Sequence, residues 1–118
     1  SYHAEHWITV HVGGTVVLPC ERTDGSKQLL HVLWRHKDNT VFERKGNDVY
    51  YSDKFIGRVD VPKARLHEGD CSLVLKNVTE TDAGVYKSYL ILRHTAGSGV
   101  QHMSSIELSV KEEPKLLQ

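Results

Sequence analysis

Apolar residues recur with a period of two in short runs of this chain, as in Thr15-Val16-Val17-Leu18-Pro19-Cys20, His31-Val32-Leu33-Trp34 and Ser72-Leu73-Val74-Leu75, and no stretch sustains a helical period. Alternate side chains of a strand point to opposite faces, so each run has one face to bury and one to leave outside. Leu18 and Cys20 then point inward. Val32 and Trp34 share one face of the next strand, with His31, Leu33 and Arg35 on the other. Cys71, Leu73 and Leu75 also share a parity, so both cysteines of the chain can enter one core. Gly13-Gly14, Asp24-Gly25-Ser26, Lys37-Asp38-Asn39, Gly46-Asn47-Asp48 and Gly69-Asp70 punctuate the runs at turn-like intervals. Short strands so spaced predict an all-β, antiparallel sandwich.

The length of 118 residues suits one domain. Lys plus Arg equal Asp plus Glu at 15 each, so no basic field is available for nucleic acid or anionic lipid. No run approaches the roughly 18 apolar residues of a membrane span. Eight histidines are many for this length, but His3, His6, His11, His31, His36, His67, His94 and His102 are spread without a zinc-ligand spacing, so neither metal nor cofactor is expected. No Gly-x-Ser-x-Gly elbow, phosphate-cradling glycine loop or cleft with paired carboxylates is present, so an enzyme is not expected either. Asn77-Val78-Thr79 is a glycosylation acceptor if the chain is secreted.

The spacing of Cys20, Trp34 fourteen positions later, and Asp82-Ala83-Gly84-Val85-Tyr86 resembles the V-set immunoglobulin family across nearly the whole chain. The resemblance implies a V-type sandwich of two antiparallel sheets with Greek-key connections. It makes Tyr86 the tyrosine that ties its corner to the backbone, and it pairs Arg58 with Asp82. Lys54 to Arg58 would begin strand D, Val41 to Lys45 would be strand C′, and Val49 to Ser52 strand C″. Residues 1–111 would be the domain, and 112–118 a polar linker to a further domain or stalk.

One departure stands out: the family's second cysteine belongs two residues after Tyr86, where this chain has Ser88. The usual bridge between the sheets is therefore not available. Cys71 falls at the start of strand E, beside strand B in the same sheet, so an intrasheet Cys20–Cys71 disulfide is geometrically reasonable; the alternative is two buried free thiols. Ser88 points into the core, where its hydroxyl needs a partner. Sialic-acid-binding immunoglobulin-like lectins share this disulfide plan and resemble the chain at Cys71-Ser72-Leu73-Val74-Leu75. Their essential arginine, however, is replaced here by Tyr89. A broader resemblance, to butyrophilin-like and T-cell costimulatory-ligand V domains, rests on Phe55-Ile56-Gly57-Arg58-Val59, Gly69-Asp70-Cys71-Ser72-Leu73-Val74-Leu75-Lys76-Asn77-Val78 and Thr81-Asp82-Ala83-Gly84-Val85-Tyr86-Lys87-Ser88-Tyr89. It implies a membrane-anchored ectodomain that binds a cell-surface receptor or ligand on another cell.

In such domains the outer face of the sheet formed by strands G, F, C, C′ and C″ carries recognition. Parity assigns to it His31, Leu33 and Arg35 from strand C, Phe42 or its neighbours from C′, and Tyr50 or Tyr51 from C″. Strand F contributes Lys87, Tyr89 and Ile91, and strand G Ser105 and Glu107. An apolar centre bordered by charge is the composition of a protein interface. Pairing of two copies through this face and sialic-acid binding are the alternative readings. Thr95-Ala96-Gly97-Ser98-Gly99 is expected as the loop between strands F and G.

Overall fold

The computed structural model describes residues 4–22, 31–94 and 97–112. Among the described residues nine strands form two sheets: β1 (His6–His11), β2 (Val16–Leu18), β3 (His31–His36), β4 (Asn39–Lys45), β5 (Asp48–Tyr51), β6 (Val59–Asp60), β7 (Leu73–Leu75), β8 (Gly84–His94) and β9 (Gly97–Lys111). One sheet has the order β1-β9-β8-β3-β4-β5, the other β2-β7-β6. Both are antiparallel except where β1 runs parallel to β9. This is the expected V-type sandwich. Strands C′ and C″ are present as β4 and β5.

Local structure differs from the sequence reading in three places. Asp53–Phe55 is a 3-10 turn that buries Phe55, and strand D is only Val59–Asp60, so the segment from Lys54 turns before it pairs. Lys63–His67 forms one short α-helix, too brief to show a periodicity, that buries Leu66. Gly97-Ser98-Gly99 is not loop: β9 begins at Gly97 and pairs with β8 up to His94, because glycine weakens strand pairing without forbidding it. Residues 95 and 96 of the expected loop lie outside the described residues.

Trp34 is fully buried at the centre, with Leu18, Leu73, Leu75, Tyr86, Leu90, Ile106 and Leu108 among the apolar residues of the same core. Its indole nitrogen donates to the Cys71 carbonyl 3.0 Å away, crossing from one sheet to the other. The register Val16–Leu75, Val17–Val74, Leu18–Leu73 continues beyond the strands and sets Cys20 opposite Cys71, with Cys71 N donating to Cys20 O at 3.0 Å and Glu21 bridging Asp70. The two cysteines, 4.9 Å apart at Cα, form the intrasheet disulfide. At the position of the family's second cysteine, Ser88 shares a hydrogen bond of 2.6 Å with Ser104 in the core. Thus the hydroxyl that replaces a bridging sulfur has a partner, on the neighbouring strand.

Below Trp34 the chain closes through a polar corner. Asp82 is fully buried, and Arg58 grips both its oxygens, at 2.7 and 3.1 Å. Thr79 N donates to the same carboxylate at 2.8 Å, and the Tyr86 hydroxyl donates to Asp82 O at 2.6 Å. Burial works against ionisation of Asp82, but the Arg58 fork, the Thr79 amide and the charges of Arg58 and Lys54 together hold its pKa below the usual value. Beside it, the His36 ring stacks on Tyr86 at 4.3 Å and 9°, with Nε2–H donating to the Ala83 carbonyl at 2.8 Å. Gly84, at φ 126°, is required here, since a Cβ would stand 3.0 Å from His36 Nε2. Desolvation is the main reason the His36 pKa is lowered, and the charges of Lys37 and Lys54 push the same way.

Three outcomes follow from this core. The bridge closes a sequence separation of 51, so the Cys20→Ser, Cys71→Ser double variant should lose about 4 kcal/mol in guanidinium unfolding. Ser88→Ala should cost about 1–3 kcal/mol by stranding the Ser104 hydroxyl, whereas Ser88→Ala with Ser104→Ala should recover most of that loss. Because His36 and Asp82 both have depressed pKa values, the folded state binds fewer protons than the unfolded chain. The stability held by neutral His36 is present above its ordinary pKa and is lost as the pH falls through the folded value; that of Asp82 is lost at lower pH. Melting temperature should therefore fall in two stages on acidification, and His36→Phe should remove the first.

Candidate functional site

The side of the six-stranded sheet that faces away from Trp34 is an ordered grid. Strand pairing sets His102, Tyr89, Leu33, Glu43 and Tyr50 side by side across five strands, and Ser105, Lys87, Arg35 and Thr40 in the adjoining row. Beyond these, Ile91 pairs with Val100 on one side and Val85 with Glu107 on the other. Leu33, Tyr89 and Ile91 are half-buried, and so are Arg35, Lys87 and Glu107. Parity alone thus brought six of the residues expected here onto one surface.

Phe42 is a correction. It is fully buried opposite Trp34 and packs edge-on against Tyr51 at 5.4 Å. A register shift between Trp34 and Arg35 sets the extra residue Val41 into β4, so Val41 and Phe42 are both buried and Glu43 takes the outer place. Of the two tyrosines, Tyr50 is outward and 54% exposed, whereas Tyr51 packs against the core. His31 has the outward parity but is only 9% exposed, with its Nε2–H donating to the Glu43 carboxylate, so it supports Glu43 and presents little surface of its own. Ser105 is likewise buried, sharing a 2.6 Å hydrogen bond with His102.

The structure adds residues that the sequence reading missed. Trp7 of β1 pairs with Glu107 at the sheet edge and is 72% exposed; Val100 is 68% exposed. The alternation of Ile8 and Val10 with Trp7 and Thr9 carries a period-two signal that could have placed this edge strand. His102 lies against Tyr89 with ring centroids 5.5 Å apart. A second register shift, between Ser88 and Tyr89, brings His102 to that position.

At one end of the grid Arg35, Lys37, Asp38, Lys87, Tyr89 and Glu107 surround a depression of about 540 Å³. Its rim includes the two-residue turn between β3 and β4, where Lys37 and Asp38 both have left-handed backbones, at φ 51° and 65°. Arg35 donates to the Asp38 carbonyl, and Asn39 Nδ2 donates to the Lys37 carbonyl at 3.2 Å, so the turn is tied at both of its strained residues. The depression mixes both signs of charge around one aromatic ring. Among the described residues no group of three or more His, Cys, Asp or Glu side chains could hold a metal ion, and no helix is long and apolar enough to cross a membrane. The side chain of Arg93 lies outside the described residues, so Tyr89 alone represents the position of the lectin arginine.

Comparison with known proteins agrees with this architecture. The immunoglobulin V-set domain family matches residues 3–111. A curated relative, matrix remodeling-associated protein 8 of Gallus gallus, is 31% identical over 100 residues, covering 70% of this chain and 23% of its own length, so the chain spans about a quarter of that relative. The human B7-H4 IgV-like domain is 27% identical with a TM-score of 0.69, covering 89% of this chain and 91% of its own. Murine CRIg is 25% identical with a TM-score of 0.70, covering 89% of this chain and 92% of its own. The chain belongs to the immunoglobulin V-set family, whose domains of this kind are generally extracellular and typically non-enzymatic recognition modules.

Proposed function

We propose that this domain is the recognition element of a membrane-anchored cell-surface protein, and that it binds a protein on another cell through the outer face of its six-stranded sheet, in immune costimulation or adhesion. The observation that carries this reading is the Leu33–Tyr89 pair, apolar and half-exposed at the middle of the grid, with Arg35, Lys87 and Glu43 bordering it. Apolar and aromatic centres with charged rims are the anatomy of protein interfaces. Trp7 and Tyr50 extend the aromatic surface toward both sheet edges. Asn77, exposed at φ 49° on the turn that leaves β7 of the three-stranded sheet, is proposed as the glycan acceptor, away from the outer face of the six-stranded sheet. Residues 112–118 are proposed as the linker out of the domain.

In surface plasmon resonance against candidate cell-surface receptors, Leu33→Asp and Tyr89→Ala should each weaken binding by about 2 kcal/mol, roughly thirtyfold, whereas Val17→Asp, on the exposed side of the other sheet, should leave it unchanged. Loss with Val17→Asp alone would move the interface to the other sheet. Sedimentation of the isolated domain as a dimer, abolished by Leu33→Asp, would replace the second protein by a second copy.

A further inference from the structure

Around the corner from the outer face, a second recess of about 350 Å³ opens between the β3–β4 turn, the start of β4, the end of β5 and the 3-10 turn at Asp53–Phe55. The cations in its wall are Lys37 and Lys54, with neutral His36 on its floor; among the described residues no carboxylate lines it. Asp38 faces the depression on the other side of the turn. The nearest buried anion, Asp82, lies 3.8 Å from Lys54 Nζ but is already gripped through both oxygens by Arg58. Lys54, which also donates to the Thr81 carbonyl at 2.8 Å, therefore adds a second cation beside a carboxylate already paired with Arg58, and Lys37 brings a further positive charge to the recess. Two ring systems complete the wall: Tyr50, 54% exposed, and Phe55, whose centroid is 5.3 Å from Lys54 Nζ. Asn39, Thr40 and Ser52 supply short neutral donors and acceptors.

Excess positive charge, aromatic surface and short hydroxyl and amide side chains in one concavity are complementary to a sugar ring that carries an anionic group. A free inorganic anion would need only the ammoniums, and a neutral sugar would leave them unused. We propose that this recess binds a saccharide unit bearing a carboxylate or sulfate, with Lys37 and Lys54 holding the anion and the Tyr50 ring covering the apolar side of the sugar. The site adjoins the Leu33–Tyr89 surface, sharing Tyr50 at that surface's edge and Lys37 with the neighbouring depression, and does not include the position occupied by Tyr89. It also couples to the core: an anion between Lys37 and Lys54 opposes the two charges that disfavour protonated His36, so binding should draw a proton onto that ring and tighten as the pH falls.

The test is an amide-resolved NMR titration of the intact domain with N-acetylneuraminic acid, N-acetylglucosamine 6-sulfate, unmodified N-acetylglucosamine and inorganic sulfate. At least one of the two anionic sugars should shift the amides of residues 37–41 and 50–55 saturably, about tenfold more tightly than the neutral sugar or sulfate alone; which of the two binds identifies the anion. Lys37→Asn, which keeps a residue tolerant of the left-handed turn, and Lys54→Gln should each weaken that binding about tenfold. Tyr50→Ala should weaken the sugar and leave sulfate unaffected, and Leu33→Asp should change neither. The His36 ring should titrate at higher pH in the complex. Absence of saturable shifts with both anionic sugars, sulfate binding as tightly as either sugar, or full binding by both lysine variants in well-dispersed spectra would overturn the proposal.

Discussion

The contact on which the rest of the structure depends is the one between Trp34 and the backbone of Cys71. The indole fills the space between the sheets, and its single N–H is satisfied across that space by the Cys71 carbonyl. A buried tryptophan needs such an acceptor. In this chain the acceptor belongs to a half-cystine whose own position is fixed by the bond to Cys20. The disulfide thus stiffens one sheet at the point where the other sheet touches it, and the sheets are linked without a covalent bond, by packing, by the Trp34 hydrogen bond and, farther out, by Arg44 of β4 donating to Asp60 of β6 at 3.2 Å.

Moving the bridge has a consequence on strand β8. With a cysteine there, the strand would be anchored covalently at its middle; with Ser88 it is held by its two neighbours β3 and β9 and by the Ser88–Ser104 hydrogen bond. Residues on either side of Ser88 point outward, and they include Lys87 and Tyr89. The proposed recognition surface is therefore carried by a strand whose inner anchor is a reversible polar contact. Its rigidity comes from the long ladder to β9, which extends from Gly84 to His94.

How much of this could be read from the chain depended on whether parity survived from strand to strand. It survived in β3 and β8, where Leu33, Arg35, Lys87 and Tyr89 have one residue opposite one residue along their shared ladder. It failed in β4, because a register shift is a backbone event that depends on how Trp34 seats against Phe42, and no residue type in Asn39–Lys45 announces it. The corner was legible for a different reason: Arg58, Asp82, Gly84 and Tyr86 each meet a local geometric demand that few other residues satisfy. The helix at Lys63–His67 was invisible, since five residues span too little of a helical period to outweigh the strand pattern around them. The recess at Lys37 and Lys54 was invisible as well, because it is assembled from four separate elements.

Function in this fold rides on a division of labour between the two faces of the six-stranded sheet. Every residue that packs inward is committed to the Trp34 core, so outward residues can vary without altering the fold, within the limit set by the cross-strand pairs. That limit matters at Tyr89. Its ring is flanked by Leu33 and lies against His102, which is itself hydrogen-bonded to buried Ser105, so an arginine there would gain charge but lose the aromatic contact with His102. The neighbours of Tyr89 are matched to an aromatic ring, not to a guanidinium that must reach a carboxylate. In the reading proposed here the Tyr89 position serves apolar contact, and the residues around it, rather than the disulfide plan, favour that use.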